Sequence, residues 1–212
     1  MNPRVRVHWI QLALTLPQLL VLLVLGCLAL SPARAADALS PNPTSMGFAT
    51  GGAIRMELNK GTMEVVGTSD DKITVSWRST YREDEADVSV KLQRTGNKAA
   101  TLTVDGPGNH IRYRIEVPRQ SDVVIRMRAG QLDVRGIAGS LDAELMAGQM
   151  DLRVAEPKHY GAVSASITAG EIDARPWNAE TGGLWRSFKA TGEGDYALRA
   201  RMLAGQINIR AE

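Results

Sequence analysis

From Ala53 onward apolar and polar residues alternate with a period of two. Ile54, Met56 and Leu58 interleave with Arg55, Glu57 and Asn59, and the pattern returns at Met63–Val66, Ile73–Trp77, Val88–Leu92, Leu102–Val104 and Ile111–Val117. Gly61, Gly67–Asp71, Gly96-Asn97 and Gly106–Asn109 separate these runs as turns. Short alternating segments bounded by turn residues predict β-strands with one buried and one wet face. No segment holds an apolar period of 3.6, so no helix is expected after the N-terminal leader.

After Pro118 the alternation becomes a repeat. Four phrases match closely: Ala129–Arg135 (AGQLDVR), Ala147–Arg153 (AGQMDLR), Ala169–Arg175 (AGEIDAR) and Ala204–Arg210 (AGQINIR). Three alternating apolar positions precede each Ala-Gly pair (Val123, Ile125, Met127 in the first unit) and two follow it (Leu132, Val134). Each unit therefore reads as strand, Ala-Gly corner, strand, with Gly130, Gly148, Gly170 and Gly205 where φ > 0 or close backbone approach is needed. The glycines lie 18, 22 and 35 residues apart; the last interval has room for one irregular turn through Trp185–Tyr196. Repeats of this length predict stacked coils. The expected fold is all-β: a single-stranded β-solenoid of parallel stacked coils at 119–212, continuous with N-terminal strands at 53–118, after a flexible lead-in at 36–52.

In such a stack equivalent residues form ladders about 4.8 Å apart. The aliphatic ladders face inward, and each large side chain they bury contributes roughly 1.5–3 kcal/mol. The outward ladders are Gln131/Gln149/Glu171/Gln206, Asp133/Asp151/Asp173/Asn208 and Arg135/Arg153/Arg175/Arg210. Carboxylates ~5 Å apart in water repel by about 1 kcal/mol or less. An arginine row two residues along is in diagonal reach to offset that.

Several phrases resemble those of the bacterial "putative adhesin" repeat family: Glu116-Val117-Pro118, Asp122-Val123-Val124-Ile125 and Ala129–Gly136 with its echoes. The likeness spans roughly residues 50–212 and is best over 111–175. This chain departs from the pattern where Gln131 takes the first polar place. The resemblance implies a β-solenoid-like domain of unknown function on cell-envelope proteins, and it defines no catalytic residues.

The N-terminus changes the charge argument. Arg4 and Arg6 precede an apolar stretch, Leu19–Leu30, then Pro32 and the A-x-A site Ala33-Arg34-Ala35. That is a secretory signal peptide cleaved after Ala35, which places the protein in the periplasm or cell envelope. An uncleaved membrane anchor is one alternative. The other is lipidation at Cys27, which follows Val24-Leu25-Gly26; against it, the apolar run continues past the cysteine. The leader holds three arginines and no acid, which leaves 22 basic against 23 acidic residues in 36–212. A nucleic-acid partner, which needs a net basic patch, is excluded. Cys27 is the only cysteine, so residues 36–212 have neither disulfide nor thiol chemistry.

Candidate chemistry is sparse. The aspartate ladder invites a calcium or acid-catalysis reading, but its members sit mid-strand beside arginine and not in an ion-wrapping loop. His110 and His159 lie in separate loops with no ligand at metal spacing. Gly106-Pro107-Gly108 and Gly192-Glu193-Gly194 read as turns. No catalytic, cofactor or metal residue is expected. Trp177, Trp185 and Phe188 stand out in a chain only 5% aromatic, either as a local cap or as a partner-binding platform. The last strand, Ile207–Arg210, is followed by only two residues, so an open C-terminal edge for self-association is expected as well. The functional expectation is a non-catalytic binding or structural protein, adhesin-like, whose partner is an envelope protein or surface glycan. The alternative is a polysaccharide lyase or hydrolase on the solenoid face.

Overall fold

A computed structural model describes residues 40–108 and 110–212. The leader, with Cys27 and the cleavage site after Ala35, lies outside the described residues. The fold is all-β: β1 Thr44–Gly47, β2 Ala53–Thr68, β3 Lys72–Ser79, β4 Ser89–Gly96, β5 Ala99–Asp105, β6 Ile111–Pro118, β7 Asp122–Arg135, β8 Leu141–Val154, β9 Tyr160–Ala174, β10 Ala179–Thr191 and β11 Tyr196–Ala211. They form one mixed sheet, β1-β3-β6-β2-β7-β8-β11-β9-β10, with β5 on the first half of β2 and β4 on β5. The sheet does not close on itself.

Strands β2, β7, β8, β11 and β9 are parallel neighbours in exact register, glycine opposite glycine. Chain length dictates their shape. Fourteen extended residues would span about 45 Å, yet β7 reaches the start of its parallel neighbour β8 through Gly136–Ser140 alone, a connection with a reach of about 20 Å. Each long strand must therefore bend into two legs. The bend falls at Gly61, Gly130, Gly148, Gly205 and Gly170, whose φ values run from 122° to 136°. A Cβ at Gly130, Gly148, Gly205 or Gly170 would overlap the carbonyl oxygen of the neighbouring strand's glycine, so only glycine lets the bends nest.

The bend also shifts the alternation by one residue. In β7 Val123, Ile125 and Met127 are buried before the corner, and Leu132 and Val134 after it. Both legs thus keep their apolar face inward, and the buried side chains of both join a single core. The N-terminal half follows the same plan in pieces: β5 and β6 lie along the two legs of β2, and β4 and β3 lie outside them.

Four expectations are corrected. Helix is not absent, because α1 (Arg82–Ala86) and two 3-10 turns, Pro157–His159 and Arg175–Trp177, occur; each is shorter than the window in which a 3.6-residue period shows. The lead-in contains β1, paired antiparallel with β3. The 35-residue interval is no irregular turn of a stack: β10 runs back antiparallel along β9, with Gly183 opposite Gly170.

The last correction concerns the C-terminus. β11 is not an edge but fills the slot between β8 and β9, parallel to both and paired with each over nearly its whole length. The chain leaves this one-strand gap when it crosses from β8 to β9 and closes it last. Among the described residues β11 therefore has no open edge, and the exposed edge at this end belongs to β10.

Candidate interaction surface

The three aromatics singled out by sequence are separated by the fold. After β9, the 3-10 turn Arg175–Trp177 and Asn178, left-handed at φ 51°, reverse the chain into β10; Asn tolerates that conformation better than most residues. Phe188 comes to lie opposite the buried Ala165, and its ring stands 6.3 Å from that of Trp177. Both rings are half-buried against the core and cap its end.

Trp185 is elsewhere. It sits at the corner of β10, 79% exposed, with a left-handed φ of 54°. For a bulky side chain that conformation costs roughly 1–2 kcal/mol.

Its position recurs in every bent strand. Counted across the sheet, the residue two places before each corner glycine is Asn59, Arg128, Met146, Leu203 and Thr168, and Trp185 completes the row by register on antiparallel β10. These residues fall between the paired legs, and Arg128, Met146, Leu203 and Thr168 each directly follow a buried residue, so they project away from the core. Met146 is 51% exposed, Leu203 52% and Leu184, beside Trp185, 65%. Three strand spacings, about 14 Å, separate Met146 from Trp185. The result is a ridge of exposed apolar side chains along the corner, interrupted at Thr168 and with Arg128 at one end. A groove of about 400 Å³ runs beside it, lined by Arg126, Arg128, Glu144 and Met146 among others.

Sequence reasoning missed Met146, Leu203 and Leu184. A signal was present: aligning Met146-Ala147-Gly148 with Leu203-Ala204-Gly205 places a large apolar residue at the corner itself, where a bend cannot bury it.

The Gln, Asp and Arg ladders stack in register, but Asn208 is buried and Asp133 and Asp173 are largely covered, so they are less solvated than expected, and their spatial order is new. The acidic row reads Glu64, Asp133, Asp151, Asn208, Asp173, Glu180, so the one neutral member lies between two aspartates. The arginines reach diagonally to neighbouring strands: Arg135 to Glu64, Arg153 to Asp133 at 3.1 Å and Arg210 to Asp173 at 2.8 Å. Asp151 accepts hydrogen bonds from Gln149 and from Asn208, each at 2.8 Å. Burial raises the Asp133 pKa and the nearby Asp151 charge adds to this, against the pull of Arg153. Glu64 feels burial too, yet Arg135 and Arg114 outweigh it and hold its carboxyl below the usual value.

Each carboxylate from Glu64 to Asp173 thus has at least one donor, but Asp151 is met only by the neutral amides of Gln149 and Asn208, and one oxygen of Asp133 is buried without a partner. Among the described residues no three metal-capable side chains gather. His110 packs edge-on against Tyr81, and His159 lies near Glu156 and Tyr196.

No protein-family model matches the chain, and no curated protein matches its sequence. Solved structures do. A "putative cell adhesion protein" from Clostridium sporogenes superposes with a TM-score of 0.52 at 14% identity, over 82% of this chain and 100% of its own. A "putative adhesin" from Parabacteroides merdae aligns over 81% of this chain and 94% of its own, at 10% identity and a TM-score of 0.25. The first likeness establishes a shared fold with the Clostridium sporogenes protein.

Proposed function

We propose that this chain is an exported, non-catalytic envelope protein that binds a partner in the manner of an adhesin, and that its bent parallel strands are the coils of a β-solenoid. The in-register stacking of corner on corner supports the solenoid reading. The leader sequence supports export to the periplasm or envelope, with the lipid-anchored form at Cys27 as the variant route.

The observation that carries the binding reading is the ridge of Met146, Leu203, Leu184 and Trp185. Exposed large apolar side chains gathered on one side of a fold mark interaction sites; here Met146 and Leu203 adjoin on β8 and β11, and Leu184 and Trp185 follow on β10 beyond Thr168. Met146 and Leu203 stand on β8 and β11, whose legs are paired on both sides, so these two are presented with little entropy left to lose on binding. Aliphatic Met and Leu offer no hydrogen bonds to sugar hydroxyls, which favours an envelope protein over a glycan as partner. The shared fold with the Clostridium sporogenes protein agrees with such a role.

Co-sedimentation of the purified protein with envelope fragments from its own cells tests this. Wild type should sediment with the fragments. The triple substitution Met146→Ser/Leu203→Ser/Trp185→Ser should weaken that association by about tenfold or more, as loss of apolar anchors does. Asp151→Asn/Asp173→Asn should leave it unchanged. If the aspartate pair matters and the ridge does not, the binding reading fails and a carbohydrate-active face is favoured instead.

A further inference from the structure

The two ends of the strand order are finished differently. At the β4/β3 end, side chains ahead of β1 occupy the outer backbone groups. The Ser40 hydroxyl accepts from the Val90 N–H at 2.9 Å and donates to the Val90 carbonyl at 3.3 Å. The Asn42 amide donates to the Trp77 carbonyl at 2.8 Å and accepts from its N–H at 3.3 Å. β1 itself is four residues long and preceded by Pro41 and Pro43. This is how natural edges are blunted.

The β10 end is more open: the Arg186 guanidinium donates to the Gly182 carbonyl at 2.9 Å, but no preceding segment among the described residues lies along this edge. It offers thirteen residues without a proline, and nothing pairs with its outer edge among the described residues. Trp177, Phe188, Ala179 and Ala190, only half-buried, form the exposed end of the core there.

We propose that β10 is the seam of a symmetric homodimer, paired antiparallel with β10 of a second copy about a two-fold axis between Leu184 and Trp185. This goes beyond the binding reading and does not depend on it. Three independent features select that occupant and that register.

The first is shape. β10 bends at Gly183–Trp185, so a straight strand could pair with only one of its legs. A second β10 matches both, provided corner lies on corner, and that fixes the axis. The second is facing. With the axis there, Ala179 meets Ala190 and Thr181 meets Phe188, all inward positions opposite β9's buried residues, while Gly182 meets Ser187 on the outer face. The third is charge. Glu180 falls opposite Lys189, twice by symmetry, and both are exposed and outward. Isologous pairing of this kind is the commonest route to a dimer. It would also join the two ridges into one, with Leu184 of each copy beside Trp185 of the other.

Sedimentation velocity on the purified protein across a wide concentration range, with circular dichroism to confirm the fold of each variant, tests the seam. Wild type should be dimeric. Glu180→Lys and Lys189→Glu, each of which sets like charges opposite each other twice, should each weaken the dimer by about tenfold or more. The double variant Glu180→Lys/Lys189→Glu should restore it. A monomer at every concentration would overturn the proposal, as would a dimer indifferent to the single reversals or one not rescued by the double. A monomer that still binds envelope fragments would leave the binding reading standing and remove only the seam.

Discussion

Replacing Gly148 by alanine should cost about 4 kcal/mol or more and leave little folded protein, because it combines two mechanisms of severe destabilisation. At φ 135° an L-residue is strained whatever space surrounds it. The added methyl would also overlap the carbonyl oxygen of Gly130 on β7. Backbone cannot rotate away as a side chain can. Relief requires pushing β8 from β7, and β8 is held on its other side by β11 in the same register. The loss would therefore spread through the ladder. Urea denaturation of Gly148→Ala against Gly47→Ala measures this. Gly47, in β1, has ordinary φ and nothing near the added methyl, so its change should stay within about 0.5 kcal/mol.

Asn208→Asp should be the most damaging change on the outer face. Asn208 is only 6% exposed, and its amide donates to Asp151 at 2.8 Å. Its flanking ladder neighbours are Asp151 and Asp173. An aspartate there would lose that donor and join the flanking Asp151 and Asp173 into an unbroken run of six carboxylates from Glu64 to Glu180, neighbours about 4.8 Å apart. At the effective dielectric of a protein surface, charges at such separations repel by about 3 kcal/mol per pair. Arg210 and Arg153 screen part of it, so a net loss of about 2–4 kcal/mol at neutral pH is expected.

The sign with pH follows. The new carboxyl would have a folded-state pKa above its unfolded value, so it binds more protons folded than unfolded. Its penalty is full at neutral pH and fades as pH falls through the raised pKa and then the ordinary carboxylate range. Thermal melts of Asn208→Asp and wild type at pH 7 and pH 4 should converge at the lower pH. A gap of equal size at both would mean that packing, not charge, is at stake.

Much of this architecture was legible before any coordinates. The period of two was readable because both legs bury one face, and the corner was readable because four Ala-Gly phrases mark it. The diagonal arginine–acid pairing could be read from the two-residue offset of Asp133 and Arg135. Gly61 reads as a simple turn because Lys60 stands where the other corners have alanine, which hides β2 as a bent strand.

Spatial order was beyond reach. Nothing local in Tyr196–Ala211 says that it enters between two strands laid down earlier, and nothing in Ala179–Thr191 sets its antiparallel direction. Both follow from which edge is open when the chain returns. The site was half legible for the same reason. The aromatics cluster in sequence, yet Trp177 and Phe188 turn to the core while Trp185 joins Met146 and Leu203, which lie 57 residues apart and meet only through the parallel pairing of β8 with β11.

The central claim is that the corner ridge is where this protein meets its partner. Placing a photo-activatable benzophenone side chain at position 185, or in a separate variant at the exposed outer-face position of Arg55, and irradiating intact cells tests it directly. The ridge probe should cross-link to one defined envelope protein besides a second copy of this chain, and the Arg55 probe should not. Equal cross-linking from both positions, or none from position 185 beyond self-adducts, would contradict the claim.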